Sequence, residues 1–243
     1  MAEDGASGPR TLAIDIGGSG LKIMALGPSG EPLNDRSRCK TPKPATPGAV
    51  LAELERMVVG QPEFDRVAAG FPGVLAQGVT LTAANLHPGW IGFDLGAELE
   101  AMTGKPARVA NDADVQGLAV IQGSGVEFVL TLGTGLGSAL YVDTRLVPNL
   151  EIAHHVFKDN QTYEECLGKP ALRRLGKAAW NRCLVEAVDQ LEKAFNYGRL
   201  YIGGGNSSKV KKKKLPGNVK IVSNVAGLLG CIRLWDADVA PTV

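Results

Sequence analysis

Short apolar runs alternate with glycine-rich turns over the first forty residues. TLAIDI is an apolar segment of strand length, and the turn GGSG separates it from a second such segment, Leu21 to Leu26. A third strand is predicted after a Pro-Ser-Gly turn. This rhythm is typical of a meander in which short hairpins link neighbouring strands.

Helical periodicity begins at TPGAVLAELERMVVG. Thr46 is a candidate N-cap, Pro47 takes the first helical position, and Gly60 is a stop signal. The apolar positions between them recur at helical spacing: Val50, Leu51, Leu54, Met57 and Val58. RVAAGFPGVLAQGVTLTAAN predicts further short strands, DLGAELEAMTGKP a second helix, and ARVAND another strand.

The same pattern then starts again. FVLTLGTGLGSALYV, residues 128–142, matches LAIDIGGSGLKIMAL in kind, and placing Gly17 on Gly133 gives an offset of 116 residues (133 − 17). An offset of about half the chain indicates an internal duplication. A long helix follows, with apolar positions Trp180, Leu184, Val188, Leu191 and Phe195. Strands are predicted at LYIGGGNSS and VKIVSN, and a final helix from Val225 to Trp235.

Strands followed by a helix, twice over, predict an α/β fold with two lobes and a ligand cleft between them. We expect residues 1–10 to be a disordered leader, 11–110 the N-terminal lobe and 111–243 the C-terminal lobe. The final helix could pack back on the first lobe.

Composition adds only exclusions. The 243 residues are 44% apolar and 21% charged with a formal net charge of +1, so nothing global indicates nucleic acid or membrane. Four dispersed cysteines without a C-x-x-C pair argue against a zinc ribbon or a disulfide framework. Without a signal-peptide pattern or 18 consecutive apolar residues, a cytoplasmic location is expected.

The glycine turns are candidate phosphate sites, because small residues let backbone N–H groups converge on an anion. Neither turn fits the Walker or dinucleotide spacing, and one such turn alone is more often only a hairpin connection. Two in duplicated halves, with a third at IGGGNSS, favour a phosphate chain or nucleotide. Asp15, at a strand end, calls for Mg²⁺ as its charge partner or for hydrogen bonds from its own turn.

Five motifs in order resemble the ROK sugar kinases, and within them the polyphosphate glucokinases: DIGGSGLK, NDAD, LTLGTGLGSAL, LVPNLEIAHH and YIGGGNSS. The match runs over roughly residues 11 to 235. The resemblance implies a duplicated actin-like, hexokinase-like (ribonuclease H-like) fold. It also implies phosphoryl transfer from ATP or polyphosphate to the 6-hydroxyl of glucose with Mg²⁺, and commonly a homodimer.

The resemblance assigns roles position by position. The first phosphate motif is Asp15, Gly17, Gly18, Ser19, Gly20 and Lys22, with Asp15 at the metal. The second is Gly133, Thr134, Gly135 and Gly137, and the adenosine motif is Gly203, Gly204 and Gly205. Sugar contacts fall on Asn85, Asn111, Asp112, Glu151 and His154, and Asp112 is the catalytic base.

Two departures from the family pattern concern the sugar site. The E-x-G-H motif has Ala153 in place of glycine, and the added methyl could shift His154. The zinc-binding cysteine cluster of many members is absent, since only Cys166 is near, so no structural zinc is expected. Polyphosphate-type members also lack that cluster, but its absence puts the sugar-binding glutamate beside it in doubt.

The chemistry explains why a carboxylate is needed. A sugar hydroxyl must lose its proton as the new bond forms, and a carboxylate in reach can accept it. Asp112 would do so while Asn111 orients a neighbouring hydroxyl. NDAD alone is equally a helix cap, and Asp114 is interpreted as a carboxylate at a helix N-terminus. Trp90 could cover a sugar face or fill the core.

A run of lysines follows the third glycine turn: Lys209, Lys211, Lys212, Lys213, Lys214 and Lys220, without an acid between them. Such a run is usually a solvated face. Here it could also guide a polyphosphate out of the cleft. No aromatic residue interleaves with the lysines, so nucleic acid lacks a stacking platform.

The function expected from these observations is a glucokinase that uses polyphosphate, ATP or both. A ROK kinase for mannose, fructose or an N-acetylhexosamine is the nearest alternative. A sugar-binding ROK protein without catalysis is the alternative from another class.

Overall fold

The computed structural model describes residues 8–83, 86–222 and 226–236. The strands of the two five-stranded sheets are β1 (Thr11–Ile16), β2 (Leu21–Leu26), β3 (Ser37–Cys39), β4 (Arg66–Phe71), β8 (Ala107–Asn111), β9 (Val126–Leu132), β10 (Leu136–Val142), β11 (Arg145–Val147), β14 (Arg199–Gly203) and β15 (Val219–Ile221). Small strands are β5 (Leu75–Ala76), β6 (Val79–Thr80), β7 (Phe93–Asp94), β12 (Val156–Lys158) and β13 (Gln161–Thr162).

The α-helices are α1 (Pro47–Val58), α2 (Leu95–Thr103), α3 (Asp112–Leu118), α4 (Tyr163–Leu167), α5 (Lys169–Phe195) and α6 (Ala226–Leu229). Short 3-10 helices cover Pro88–Trp90, Ile152–His154, Ser207–Lys209, Lys212–Lys214 and Gly230–Trp235. Across the described ranges, no helix combines the length and apolar character needed to cross a bilayer.

The chain forms two compact units, and each contains one five-stranded sheet. The first unit takes residues 8–119 and 227–236 as far as they are described, and its sheet has the order β3-β2-β1-β4-β8. The second unit takes residues 120–226, with the order β11-β10-β9-β14-β15. In both sheets three antiparallel strands are followed by two parallel ones. The duplicated α/β fold expected from the repeated pattern is therefore confirmed.

The division between the units differs from the lobe boundary expected at residue 110. Residues 111–119 lie with the first unit because α3 packs against β4 and β8. The segment 227–236 packs on α3 in the same unit. Gly230 lies so close to the backbone carbonyl of Val115 that no Cβ could be accommodated there.

The two predicted early helices form as their end signals indicate. The Thr46 hydroxyl accepts the Ala49 N–H and Pro47 opens α1, while Asp94 caps α2 and Gly104 ends it with φ 66°. Trp90 is fully buried, and its indole N–H donates to the Ala45 carbonyl. Of the two interpretations of Trp90, the structure therefore supports the one in which the side chain fills the core.

Two predicted helices differ from the structure. In α5, Gly176 (φ 70°, ψ 162°) interrupts the helix, since glycine adopts this backbone without a steric penalty. The apolar stripe beyond the break is buried from Trp180 to Leu191, and the partly buried Phe195 packs on Phe128 with ring centroids 4.9 Å apart. The final helix is α-helical only to Leu229 and continues as the 3-10 helix Gly230–Trp235; its expected start at Val225 lies outside the described residues.

Candidate active site

The carboxyl ends of the parallel strands β1, β4 and β8 meet at one edge of the first sheet. Asp15 is the partner of Gly70 on β4, and the next strand over ends at Asn111. A Cβ built on Gly70 would lie 3.4 Å from the Cα of Asp112. The structure therefore brings Asp15 and Asp112 to the ends of β1 and β8, the two strands on either side of β4, although 97 residues (112 − 15) separate them in the chain.

Asp15 has a charge partner within the protein. Lys22 lies directly opposite it on β2, and the Lys22 Nζ donates to the Asp15 carboxylate at 2.5 Å. The Asp15 side chain is 18% exposed and that of Lys22 is 38% exposed. The two alternatives considered from the sequence, Mg²⁺ and the turn's own N–H groups, did not include this cross-strand cation. The sequence could have indicated this pair, because a short hairpin between β1 and β2 places Lys22 opposite Asp15.

The first glycine turn, residues 17–20, is a closed hairpin connection. The Gly17 N–H donates to the Gly20 carbonyl at 3.1 Å, and the Thr41 hydroxyl donates to the Gly17 carbonyl at 2.5 Å. A Cβ on Gly20 would lie 3.1 Å from the Cys39 carbonyl oxygen, which favours glycine there. Because the Gly17 N–H is used inside the turn, the donors left to face a phosphate are those of Gly18, Ser19 and Gly20.

Asn111 and Asp112 begin helix α3. The Asn111 side chain is buried, accepts the Ala113 N–H at 2.8 Å and donates to the Gly73 carbonyl at 3.1 Å. Asn111 is therefore the helix cap, and its amide is held in one orientation. Asp112 is half-buried in the first turn of α3, where a carboxylate is favoured. Asn85, the other expected sugar contact in this unit, lies outside the described residues.

In the second unit, a carboxylate sits at the second glycine turn. The Leu136 N–H donates to the Glu164 carboxylate at 3.0 Å, and the Gly133 N–H donates to the Gly135 carbonyl at 3.1 Å. The Glu164 carboxylate fills the space that a Cβ on Gly135 would need. Sequence reasoning did not single out Glu164. The capping box formed by Thr162 and Glu165 could have indicated the short helix that carries it.

Glu151 and His154 lie together beside this turn. The His154 Nε2 is 3.5 Å from a Glu151 carboxylate oxygen. Burial and then the charge of Glu164 raise the pKa of Glu151 above its ordinary value, while His154 acts in the opposite direction. Ala153 is 2% exposed and packs in the core of the second unit, so its methyl group is accommodated with the pair in place.

The third glycine turn is tied to the second. Gly204 has φ 83°, and a Cβ there would lie 2.5 Å from the Leu132 carbonyl oxygen, so this glycine serves backbone packing. The Asn206 side chain donates to the Gly133 carbonyl at 2.8 Å. Gly205 is exposed, with open space at its Cβ position. Of the three glycines assigned to a nucleotide, Gly205 is the one with room for a ligand.

The expected metal chemistry rests on few side chains. In the part of the chain that the structure describes, no three Asp, Glu, His or Cys residues cluster as a metal site. Cys166 is a buried free cysteine, and burial raises the pKa of its thiol. Mg²⁺ usually keeps several waters and binds one or two carboxylates together with substrate phosphates. Asp15 fits such a site as a single protein ligand.

Comparisons with known proteins place these residues in a family context. The ROK family model matches residues 11–162. A polyphosphate glucokinase from Mycobacterium tuberculosis (strain ATCC 25618 / H37Rv) is 32% identical over 93% of this chain and 91% of that protein. An N-acetylmannosamine kinase from Escherichia coli (strain SE11) is 34% identical over 56% of this chain and 49% of that protein. Among solved structures, the inorganic polyphosphate/ATP-glucomannokinase from Arthrobacter sp. strain KM has a TM-score of 0.83 and 32% identity, covering 93% of this chain and 98% of that one.

Proposed function

This chain belongs to the ROK family of sugar kinases, and from that premise we propose that it phosphorylates the 6-hydroxyl of glucose. Polyphosphate, ATP or both would be the donor, and Asp112 the general base. The observation that carries the proposal is that Asp15 and Asp112 lie at the same carboxyl edge of the first sheet, on either side of the end of β4 and with the first glycine turn following Asp15. The names of the relatives supply the donor and acceptor.

Asp112 is the residue proposed to handle the proton. As the glucose O6 attacks the terminal phosphorus, the O6–P bond forms, the bond to the leaving phosphate oxygen breaks, and the hydroxyl proton passes to the Asp112 carboxylate. General-base catalysis of this kind typically contributes about 10²–10⁴-fold. The amide of Asn111, held by Gly73 and Ala113, would keep a neighbouring sugar hydroxyl in one orientation.

Glu151 and His154 are proposed to bind other hydroxyls of the sugar. Their own contact leaves a carboxylate acceptor and an imidazole side by side. The raised pKa of Glu151 keeps that carboxyl closer to its neutral form at acid pH, so sugar binding through the carboxylate should weaken as the pH falls.

The donor is proposed to lie against the glycine turns. Backbone N–H groups of Gly18, Ser19 and Gly20, with the Lys22 ammonium, would contact phosphate oxygens. Mg²⁺ bound to the donor phosphates and to Asp15 would neutralise developing charge. A polyphosphate donor would continue along Lys209 and Lys211–Lys214, which are exposed. A cytoplasmic homodimer is the further expectation from the family.

The experiment that tests this proposal measures glucose 6-phosphate formation with Mg²⁺, comparing ATP with long-chain polyphosphate. An acceptor panel of glucose, mannose, fructose and N-acetylmannosamine separates the alternatives, of which N-acetylmannosamine is supported by the relative of that activity. Product from glucose at the highest kcat/KM supports the proposal. Preference for another hexose overturns the acceptor. Sugar binding by calorimetry without product from any donor overturns the catalytic role.

A further inference from the structure

Two stretches of the second unit carry cations and no acid. Residues 166–185 contain no Asp or Glu but five cations: Lys169, Arg173, Arg174, Lys177 and Arg182. Residues 193–222 also contain no Asp or Glu, and they include the whole lysine run. The first stretch is the beginning of α5, and the second includes the 3-10 helices Ser207–Lys209 and Lys212–Lys214. The chain as a whole is nearly neutral, at +1, so this concentration of charge is local.

Both stretches are hydrogen-bonded to the second glycine turn. The Lys169 N–H, at the first position of α5, donates to the Thr134 carbonyl at 3.2 Å. The Asn206 side chain donates to the Gly133 carbonyl at 2.8 Å, and the lysine run follows directly. An anion held at this turn would therefore lie near the beginnings of two basic segments, α5 and the lysine run.

One buried side chain joins the two stretches farther along. Asn181 is 3% exposed, and its amide donates to the carbonyls of Lys177 and Lys209 at 2.8 and 3.1 Å. Its carbonyl oxygen accepts the Lys211 N–H at 2.6 Å. The backbones of three lysines are thus tied to a single residue, which keeps their side chains within one small area. Gly176, where α5 breaks, immediately precedes Lys177.

Part of these two stretches is exposed and forms no ion pair within the described residues: Lys169, Arg173, Lys177, Lys209 and Lys211–Lys214. Other cations of the unit are paired, as in Lys158 with Glu186, and so are two at the start of the second stretch, Lys193 with Asp189 and Arg199 with Glu127. Like charges held together repel, and a bound polyanion relieves that repulsion. Trp180, the one aromatic residue in the basic part of α5, is fully buried. A ligand recognised by stacked bases would therefore find no platform here.

We propose that this basic surface binds the part of a polyphosphate chain that lies beyond its reacting end, with Asn181 as the positioning residue. The basic surface is defined as Lys169, Arg173, Lys177, Lys209 and Lys211–Lys214. The inference rests on the proposed polyphosphate donor and adds the cations of α5 to the lysine run. With both segments, the surface would favour long donors over short ones. ATP and tripolyphosphate would end close to the second glycine turn, whereas a long polyphosphate chain would continue onto α5 and the lysine run.

The test compares two triple variants of equal charge change. K169Q/R173Q/K177Q removes the α5 part of the basic surface, and K105Q/K158Q/K193Q removes three exposed cations outside it. Kinetics are measured with long-chain polyphosphate and with tripolyphosphate. We expect the α5 variant to raise KM for the long chain by about tenfold or more, with KM for tripolyphosphate and glucose within about twofold. A long-chain KM equal to that of the control variant overturns the proposal.

Direct binding separates this inference from the donor assignment. Labelled long-chain polyphosphate is titrated without glucose at several salt concentrations. Losing three phosphate contacts should lower the slope of log Kd against log salt by about two. If wild-type protein binds the chain through these residues but transfers no phosphoryl group, the surface stands and the donor assignment fails. If a single-stranded oligonucleotide of equal charge binds more tightly than polyphosphate, the ligand named here is wrong.

Asn181→Ala tests the positioning role with the cations retained. We expect the long-chain KM to rise while KM for tripolyphosphate and kcat stay near wild type. A thermal melt confirms that the variant is folded. A uniform loss with both donors would show that Asn181 supports only the fold of the unit and would overturn its assigned role.

Discussion

The two five-stranded sheets share strand order and direction, yet equivalent positions in them carry different chemistry. With Gly17 placed on Gly133, Asp15 corresponds to Thr131 (15 + 116). The cross-strand partner of Asp15 is Lys22, whereas that of Thr131 is Gly137. A charged pair in the first unit is thus replaced by an uncharged one in the second. The two sheets therefore share their backbone pairing and differ in the side chains at the strand ends.

A second equivalent position shows the reverse distribution of charge. Thr11 corresponds to Glu127 (11 + 116), and each faces an arginine on the neighbouring parallel strand. Thr11 accepts from Arg66 at 2.8 Å. Glu127 is fully buried and accepts N–H groups of residues 122–124 and the Tyr201 hydroxyl. At this strand position the second unit therefore buries a carboxylate as structural support, whereas the first unit has an uncharged hydroxyl.

In the first unit, Arg66, the cross-strand partner of Thr11, lies over the ring of Trp235. The guanidinium groups of Arg66 and Arg108 lie 5.1 and 4.6 Å from its centroid, and Arg108 also donates to the Leu234 carbonyl at 2.6 Å. These contacts fasten the returning segment 227–236, as Glu127 fastens residues 122–124. In each copy, side chains on the parallel strands thus hold one of the segments close to where the chain changes unit.

The largest expected effect tests whether the chemistry belongs to the first unit. Asp112→Asn removes the proposed proton acceptor and preserves size, so kcat should fall by about 10²–10⁴-fold with little change in sugar affinity. Steady-state kinetics and calorimetric sugar titration measure the two quantities. Asp35→Asn, at an exposed carboxylate of the same unit, is the control. Near-normal turnover of the Asp112 variant would remove Asp112 from the mechanism.

The next prediction compares the stability cost of replacing two adjacent glycines of the second unit, Gly204 and Gly205. Gly204→Ala forces φ 83° on a residue with a Cβ and drives that Cβ into the Leu132 backbone. We expect it to lower the free energy of unfolding by at least about 2 kcal/mol. Gly205→Ala, with open space, should change it by less than about 1 kcal/mol. Equal denaturation midpoints for the two variants would contradict this packing role of Gly204.

The third comparison concerns the buried carboxylate of the second unit. Burial acts to raise the pKa of Glu127, but hydrogen bonds from residues 122–124 and Tyr201 outweigh it and leave the pKa lowered. A lowered pKa contributes stability above the unfolded pKa of about 4.3, and this contribution is lost as the pH falls through the folded pKa. Glu127→Gln should therefore cost about 1–3 kcal/mol at pH 7 and less in acid.

Thr11→Val is the matched change in the first unit. It removes one hydrogen bond to Arg66 and no buried charge, so its cost should be smaller, about 1 kcal/mol, and nearly independent of pH. Chemical denaturation of both variants between pH 4 and pH 7 makes the comparison. If the Thr11 variant shows the same pH dependence, the difference assigned to the two copies is wrong.

Much of the fold was predictable because its signals are local. Caps such as Thr46 and Asp94, the strand at residues 21–26 and the glycine turns lie within a few residues of what they control. The break at Gly176 was missed because the apolar stripe continues beyond it. For the site, motif order indicated Asp15, Asp112, Glu151 and His154, and their catalytic and binding roles stay predictions.

The amino-acid order alone established the α/β class, the duplication and the family, since periodicity, turn residues and ordered motifs are written in consecutive positions. Tertiary structure was needed to pair Asp15 with Lys22, to bring Glu164 to the second glycine turn and to join α5 to the lysine run through Asn181. Those contacts depend on strand register and on which side chains burial leaves facing each other. Both properties arise only when distant segments pack together.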